Sequence, residues 1–103
     1  MILTKQLFKR SSTELEAPSK CKITIRFDVG FPNTVTIRGK GAGLSWDKGV
    51  TLKNISRDTW VFEPRDSSKL VEFKVLINDQ LYEKGSNHTT ENGKTFEYTP
   101  SFY

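Results

Sequence analysis

Cysteine is nearly absent from this chain: its 103 residues contain one, Cys21. A lone thiol can neither close an intramolecular disulfide nor build a cysteine-based zinc site, so no metal or cross-link is expected to hold the chain together. Histidine is equally scarce. His88 is the only one, and without a paired nucleophile and an orienting acid it makes a poor catalytic base. Its polar surroundings mark it as a solvated loop residue. Long apolar runs are also missing, which excludes a transmembrane helix. Lys5, Lys9 and Arg10 interrupt the first ten residues, where a secretory signal would need its apolar stretch. These absences together lead to the expectation of a cytoplasmic protein without membrane contact. The sequons Asn54-Ile55-Ser56 and Asn87-His88-Thr89 then read as coincidences.

Catalytic chemistry is thin as well. The glycine-rich stretch Gly39–Gly43 has neither the G-x-x-x-x-G-K-[ST] spacing of a phosphate loop nor the spacing of a dinucleotide loop, where Leu44 occupies the third small position. It leads toward a strand, so no helix N-terminus awaits a phosphate, and it reads as a flexible bend. Asp47, Asp79 and Glu83 are the carboxylates that glycoside hydrolysis would draw on, yet nothing in the sequence forces two of them across a cleft. Cys21 reads as a structural or idle thiol despite Lys20 and Lys22 beside it. The expectation is a non-enzyme without a cofactor. The net charge of +4 gives no basic stripe either. Opposite signs alternate at Arg57-Asp58, Arg65-Asp66 and Glu83-Lys84, the ordinary solvated surface of a globular domain, which argues against nucleic acid as a partner.

What the chain does have is β-periodicity and aromatics. Residues 1–20 divide into a short amphipathic piece (Ile2, Leu3, Leu7 and Phe8) and a linker, SSTELEAPSK. The domain is expected over residues 21–103. From Cys21 the period is two, with Ile23, Ile25 and Phe27 alternating with polar residues. Further strands are expected at Thr34–Arg38, Val50–Lys53, Thr59–Glu63, Lys69–Ile77, Gln80–Glu83 and Lys94–Thr99, with turns at Gly30–Asn33, Arg65–Ser68 and Asn78-Asp79 and a hairpin-type turn at Asn92-Gly93. Seven short strands at this spacing, with no long helical pattern, predict an all-β, immunoglobulin-like antiparallel β-sandwich.

Seven Phe, three Tyr and two Trp supply the bulk a small core needs. Phe27, Phe73 and Phe96 fall on inward beats of strands. Trp46 does not: it follows a glycine-rich bend and precedes Asp47-Lys48-Gly49. Tyr82 similarly sits just past the Asn78-Asp79 turn. A flat ring left on a loop is suited to stacking against another flat face, such as a nucleobase, an aromatic ring or the C–H face of a pyranose. In Val71-Glu72-Phe73-Lys74-Val75 the alternation sends Lys74 to the face opposite the core.

The order Val35-Thr36-Ile37-Arg38-Gly39, Leu44-Ser45-Trp46-Asp47, Val50-Thr51-Leu52, Asp58-Thr59-Trp60-Val61-Phe62, Glu72-Phe73-Lys74-Val75 and Leu81-Tyr82-Glu83-Lys84-Gly85-Ser86-Asn87 resembles starch-binding domains. The relevant families are carbohydrate-binding module families 20 and 48, over roughly residues 22–99. The resemblance implies that Trp46 is a sugar-stacking residue, that Lys74 and Asn87 hydrogen-bond glucose hydroxyls, and that Trp60 is structural. Tyr82 stands where the family has a second stacking Trp, and a one-residue slip would put Leu81 there. Ser86 replaces the family's Pro, and Tyr82 is a smaller platform than Trp.

The function so implied is non-catalytic binding of an α-glucan (starch, glycogen or maltooligosaccharide) by Trp46, Lys74, Tyr82 and Asn87. The alternative is a protein-interaction domain on the same scaffold that has lost sugar binding, using residues 2–10 or an edge strand. A third reading has Trp46, Phe31 and Tyr82 stacking the bases of a single-stranded nucleic acid.

Overall fold

Alternation of apolar and polar residues decides the principal strands. The structure is a computed structural model and describes residues 21–64, 70–91 and 93–103; the expectations for residues 1–20, for the Arg65–Ser68 turn and for Asn92 lie outside them. In chain order the strands are β1 (Lys22–Arg26), β2 (Val35–Lys40), β3 (Val50–Thr51), β4 (Lys53–Ser56), β5 (Thr59–Phe62), β6 (Leu70–Ile77), β7 (Leu81–Tyr82), β8 (His88–Glu91) and β9 (Thr95–Tyr98). One sheet has the order β8-β6-β2-β3, with β7 also paired to β6, and the other has the order β9-β1-β5-β4. Pairing is antiparallel throughout except for β9, which runs parallel to β1 with Phe96 beside Ile23 and Tyr98 beside Ile25. This is the expected all-β sandwich. Among the described residues no helix is long and apolar enough to cross a membrane.

The inward beats of both sheets meet in one core. Ile23 and Ile25 from β1, Val35 and Ile37 from β2, and Val71, Phe73 and Val75 from β6 are wholly inaccessible, and Trp60 of β5 is buried among them. Phe96 meets Phe73 edge-on at 5.3 Å between ring centroids, and Phe102 closes one end against Phe27 at 5.1 Å. Burial on this scale is the main favourable contribution to folding in a domain so small.

Four details differ from the sequence reading. The Val50–Lys53 strand is split: the chain changes sheet at buried Leu52, whose N–H donates to Val35 O at 2.9 Å, so β3 and β4 belong to different sheets. The Gly39–Gly43 bend is a hydrogen-bonded reversal, with Leu44 N–H on Gly41 O at 3.0 Å and Gly39 N–H on Ser45 O at 3.1 Å. His88 is not in a solvated loop but opens strand β8, which pairs antiparallel with Leu70–Phe73. Its sequence, His-Thr-Thr-Glu, has one buried residue, Thr90, so it carries almost no hydrophobic pattern. Finally, β8 and β9 lie in different sheets and do not pair with each other, so they do not form the expected hairpin. The turn expected at Asn78-Asp79 is present and joins β6 to β7 as a hairpin. Both residues have positive φ (55° and 57°) and Gln80 N–H donates to Ile77 O at 3.0 Å, the geometry whose twist suits a two-residue hairpin.

Gly39 faces Phe73 across β2 and β6, where a Cβ would strike the Glu72 carbonyl oxygen and lie 2.9 Å from Phe73 Cα. Backbone cannot yield there as a flexible side chain would. Gly39→Ala is expected to destabilise the domain by about 1–3 kcal/mol, lowering the thermal midpoint by at least about 4 °C, as circular dichroism melting would measure.

Candidate functional site

The alternation that buries Val71, Phe73 and Val75 turns Glu72, Lys74 and Leu76 to the opposite face of the sheet. Register places Lys40 beside Glu72, Arg38 beside Lys74, and Thr36 beside Leu76, with Tyr82 of β7 on the other side of Leu76. Leu76 and Thr36 are buried although they point away from the core between the sheets. The outer face therefore has a covered patch at one end and cationic side chains beside it.

Arg38 organises this face. Its Nε donates to Asp79 Oδ1 at 2.7 Å and its Nη2 to Asp79 O at 3.3 Å. Its Nη1 donates to Trp46 O at 3.1 Å and to the Tyr82 hydroxyl at 3.2 Å. The guanidinium carbon also lies 5.8 Å from the centre of the Tyr82 ring, within cation–π range. A planar group with five donors can hold several acceptors at fixed angles, which a lysine could not. The hydrogen bond to Asp79 raises the Arg38 pKa above its usual value. The same bond, followed by one from the Gly49 backbone, lowers that of Asp79. Gly49 has no Cβ because one would collide with the Asp79 carboxylate. Asp79 N–H in turn donates to Thr36 Oγ1 at 2.9 Å. The Asn78-Asp79 turn, the Trp46 loop and strand β2 are thus tied together through one ion pair.

Of the residues the resemblance names for sugar binding, Lys74, Tyr82 and Asn87 lie on or against this face and Trp46 is tied to it through its backbone carbonyl, while Trp60 is buried in β5 of the other sheet. Trp46 is 38% exposed and Tyr82 45%, and both are bound to Arg38 Nη1, Trp46 through its backbone and Tyr82 through its side chain. Leu81, the alternative to Tyr82, is equally exposed but pairs with Ile77, and Arg38 bonds Tyr82 instead. The Lys74 ammonium, next to Arg38 across the strands, donates to Gly85 O and keeps two further N–H groups. Asn87 Nδ2 donates to Glu72 Oε2 at 2.8 Å, which places it one same-face step along β6 from Lys74, about 7 Å.

Three further residues matter that had no binding role in the sequence reading. Arg38 and Asp79 are the first two. Glu83, treated in the sequence only as a spare carboxylate, is the third. Its side chain is completely buried, and Oε2 accepts from Val75 N–H at 2.8 Å while its own N–H donates to Val75 O at 2.9 Å. It thereby satisfies both backbone groups of Val75 between the stretches of β6 paired to β7 and to β8. His88 Nε2 lies 2.8 Å from the same Oε2, and the His88 ring packs on Tyr98 at 4.2 Å and on Phe73 at 5.2 Å. This partnered imidazole corrects the solvated reading: its neighbours in sequence are polar, but its ring packs among Phe73, Phe96 and Tyr98 from both sheets. The Tyr98 pKa is raised, first by burial and then by the neighbouring Glu83 carboxylate.

Phe31 is fully exposed on the Gly30–Asn33 turn, at a cavity of about 390 Å³ lined also by Leu52, Asn54, Arg57 and Trp60. Among the described residues no group of three or more His, Cys, Asp or Glu could hold a metal ion.

Because the Asp79 pKa is lower in the folded chain than in the unfolded one, its stabilising effect is complete above the unfolded value and is lost as pH falls through the folded value. Thermal melts below about pH 4 should therefore show a steeper acid loss for the natural chain than for Asp79→Asn. Parallel curves would remove the ion pair from the account of the turn.

No protein-family model matches the chain, and no curated protein matches it by sequence. Among solved structures it is similar to the Glycoside Hydrolase Family 15 glucoamylase from Hypocrea jecorina, with a TM-score of 0.63 and 19% identity over 88% of this chain. The match covers 20% of the glucoamylase chain, and at this identity it shows a shared sandwich fold.

Proposed function

We propose that this chain is a non-catalytic α-glucan-binding module, taking starch, glycogen or maltooligosaccharide, in the cytoplasm. The observation that carries this reading is that one guanidinium, Arg38, ties the backbone of half-exposed Trp46 to the hydroxyl of half-exposed Tyr82, beside Lys74 and near Asn87. Rings supply flat apolar area for the C–H face of a glucose unit, and the amine and amide supply directional contacts to its hydroxyls. The fold shared with part of a glycoside hydrolase is in keeping with this reading. A non-catalytic role is supported by the state of the carboxylates. Of Asp47, Asp79 and Glu83, Asp79 is committed to Arg38 and Glu83 is sealed beneath the surface, so exposed Asp47 has neither as a second carboxylate for passing a proton to a glycosidic oxygen.

Covering about 40–60 Å² of a sugar face is worth about 1–1.5 kcal/mol per ring. Two rings and a few hydrogen bonds give dissociation constants of tens to hundreds of micromolar, to order of magnitude. Titration with β-cyclodextrin or maltoheptaose should therefore quench or blue-shift Trp fluorescence in that range, and Trp46→Ala should weaken binding about tenfold with the fold intact. The response should change little with salt, since the ligand is neutral; a steep decline would point to phosphate contacts instead. No fluorescence response and unretarded migration in a glycogen-containing native gel would refute the glucan reading and leave protein interaction as the role of the scaffold.

A further inference from the structure

Tyr82 differs from a Trp at this place by carrying a hydroxyl, and the structure fixes what that hydroxyl can do. Arg38 Nη1 donates to its oxygen at 3.2 Å. A guanidinium has donors and no acceptor, so the phenolic hydrogen cannot point back at Arg38. Among the described residues no acceptor takes that hydrogen, and Tyr82 is 45% exposed. The ring is held from the same side, since the guanidinium lies 5.8 Å from its centre. Arg38 itself cannot follow the ligand, because Asp79 holds it at both Nε and Nη2 and the Trp46 carbonyl holds it at Nη1. The tyrosine oxygen is thus fixed as an acceptor toward the protein, leaving its hydrogen available to the outside.

Resting on the glucan reading above, we propose that Tyr82 engages the sugar through a donated hydrogen bond as well as through its ring, with Arg38 as the positioning residue that turns the phenolic hydrogen outward. The platform then presents donors, the Tyr82 O–H beside the two unused N–H groups of Lys74, and selects ligands whose hydroxyl or ring oxygens offer lone pairs toward it. Arg38 acts through Tyr82 and need not touch the sugar.

The test is a double-mutant cycle on β-cyclodextrin affinity, read by Trp fluorescence titration. Tyr82→Phe keeps the ring and removes only the hydroxyl, so it should weaken binding by about 2- to 12-fold. Arg38→Lys, which keeps a cation near Asp79 but cannot bridge Trp46 and Tyr82, should weaken it by a similar factor. Because both changes remove one arrangement, the double variant should bind no more weakly than the weaker single. A purely structural role for Arg38 would instead give multiplied losses, which would overturn the proposal, as would a Tyr82→Phe affinity equal to that of the natural chain. If the natural chain binds and Trp46→Ala binds about tenfold more weakly, while Tyr82→Phe is silent, the glucan reading stands and this inference alone falls. If the natural chain does not bind at all, both fall.

Discussion

Strand β6 governs both sides of its sheet. Its alternation commits Val71, Phe73 and Val75 to the interior, where they meet Ile23, Ile25 and Ile37, and the same geometry obliges Glu72, Lys74 and Leu76 to face outward. A slip of one residue would exchange the two sets, at the cost of burying a lysine and a glutamate. The core therefore holds the outer face in register. Neighbouring strands inherit the constraint: Arg38 stands beside Lys74 because Ile37 is pinned opposite Val75.

On that fixed face a few polar contacts set the loops. Arg38 joins the Trp46 loop, the Asn78-Asp79 turn and Tyr82, elements far apart in sequence, at a single guanidinium. Glu83 does a comparable task at the far side of β6, taking the Val75 N–H where the edge strand is interrupted and meeting His88 from β8. Both are ionisable residues used where several donors or acceptors converge. In each case the partner set is fixed from more than one element, so the loops that carry Trp46 and Asn87, and the short strand that carries Tyr82, start from ordered anchors. Pre-ordering of this kind reduces the entropy a ligand would otherwise have to overcome on binding.

Legibility from sequence followed the strength of the local pattern. β1, β2 and β6 alternate cleanly and were readable with their inward faces, and so was the Asn78-Asp79 turn. β8 was not, since His-Thr-Thr-Glu is held by backbone pairing and buries Thr90 alone. The split at Leu52 was invisible for a related reason: Val50–Lys53 looks like one strand, and only the pairing of Lys53 with Val61 shows that the chain has left the sheet of β2 for the other. For the site, Trp46 stood out because an indole beside charged residues departs from the inward beat that core aromatics keep, and Lys74 because alternation on β6 turns it outward. Arg38 had the same outward position but no signal, because its significance lies in the four groups it reaches.

The chain's own residue order determined an all-β sandwich, the faces of its long strands and the outward place of Lys74, since these follow from a two-residue period and the segregation of apolar side chains from water. Tertiary structure alone decided that β9 joins β1 in parallel, that Glu83 and His88 are partners below the surface, and that Arg38 binds Trp46 and Tyr82 together. Those features depend on contacts between residues distant along the chain, and no local period encodes which polar groups will meet once the sheets have closed.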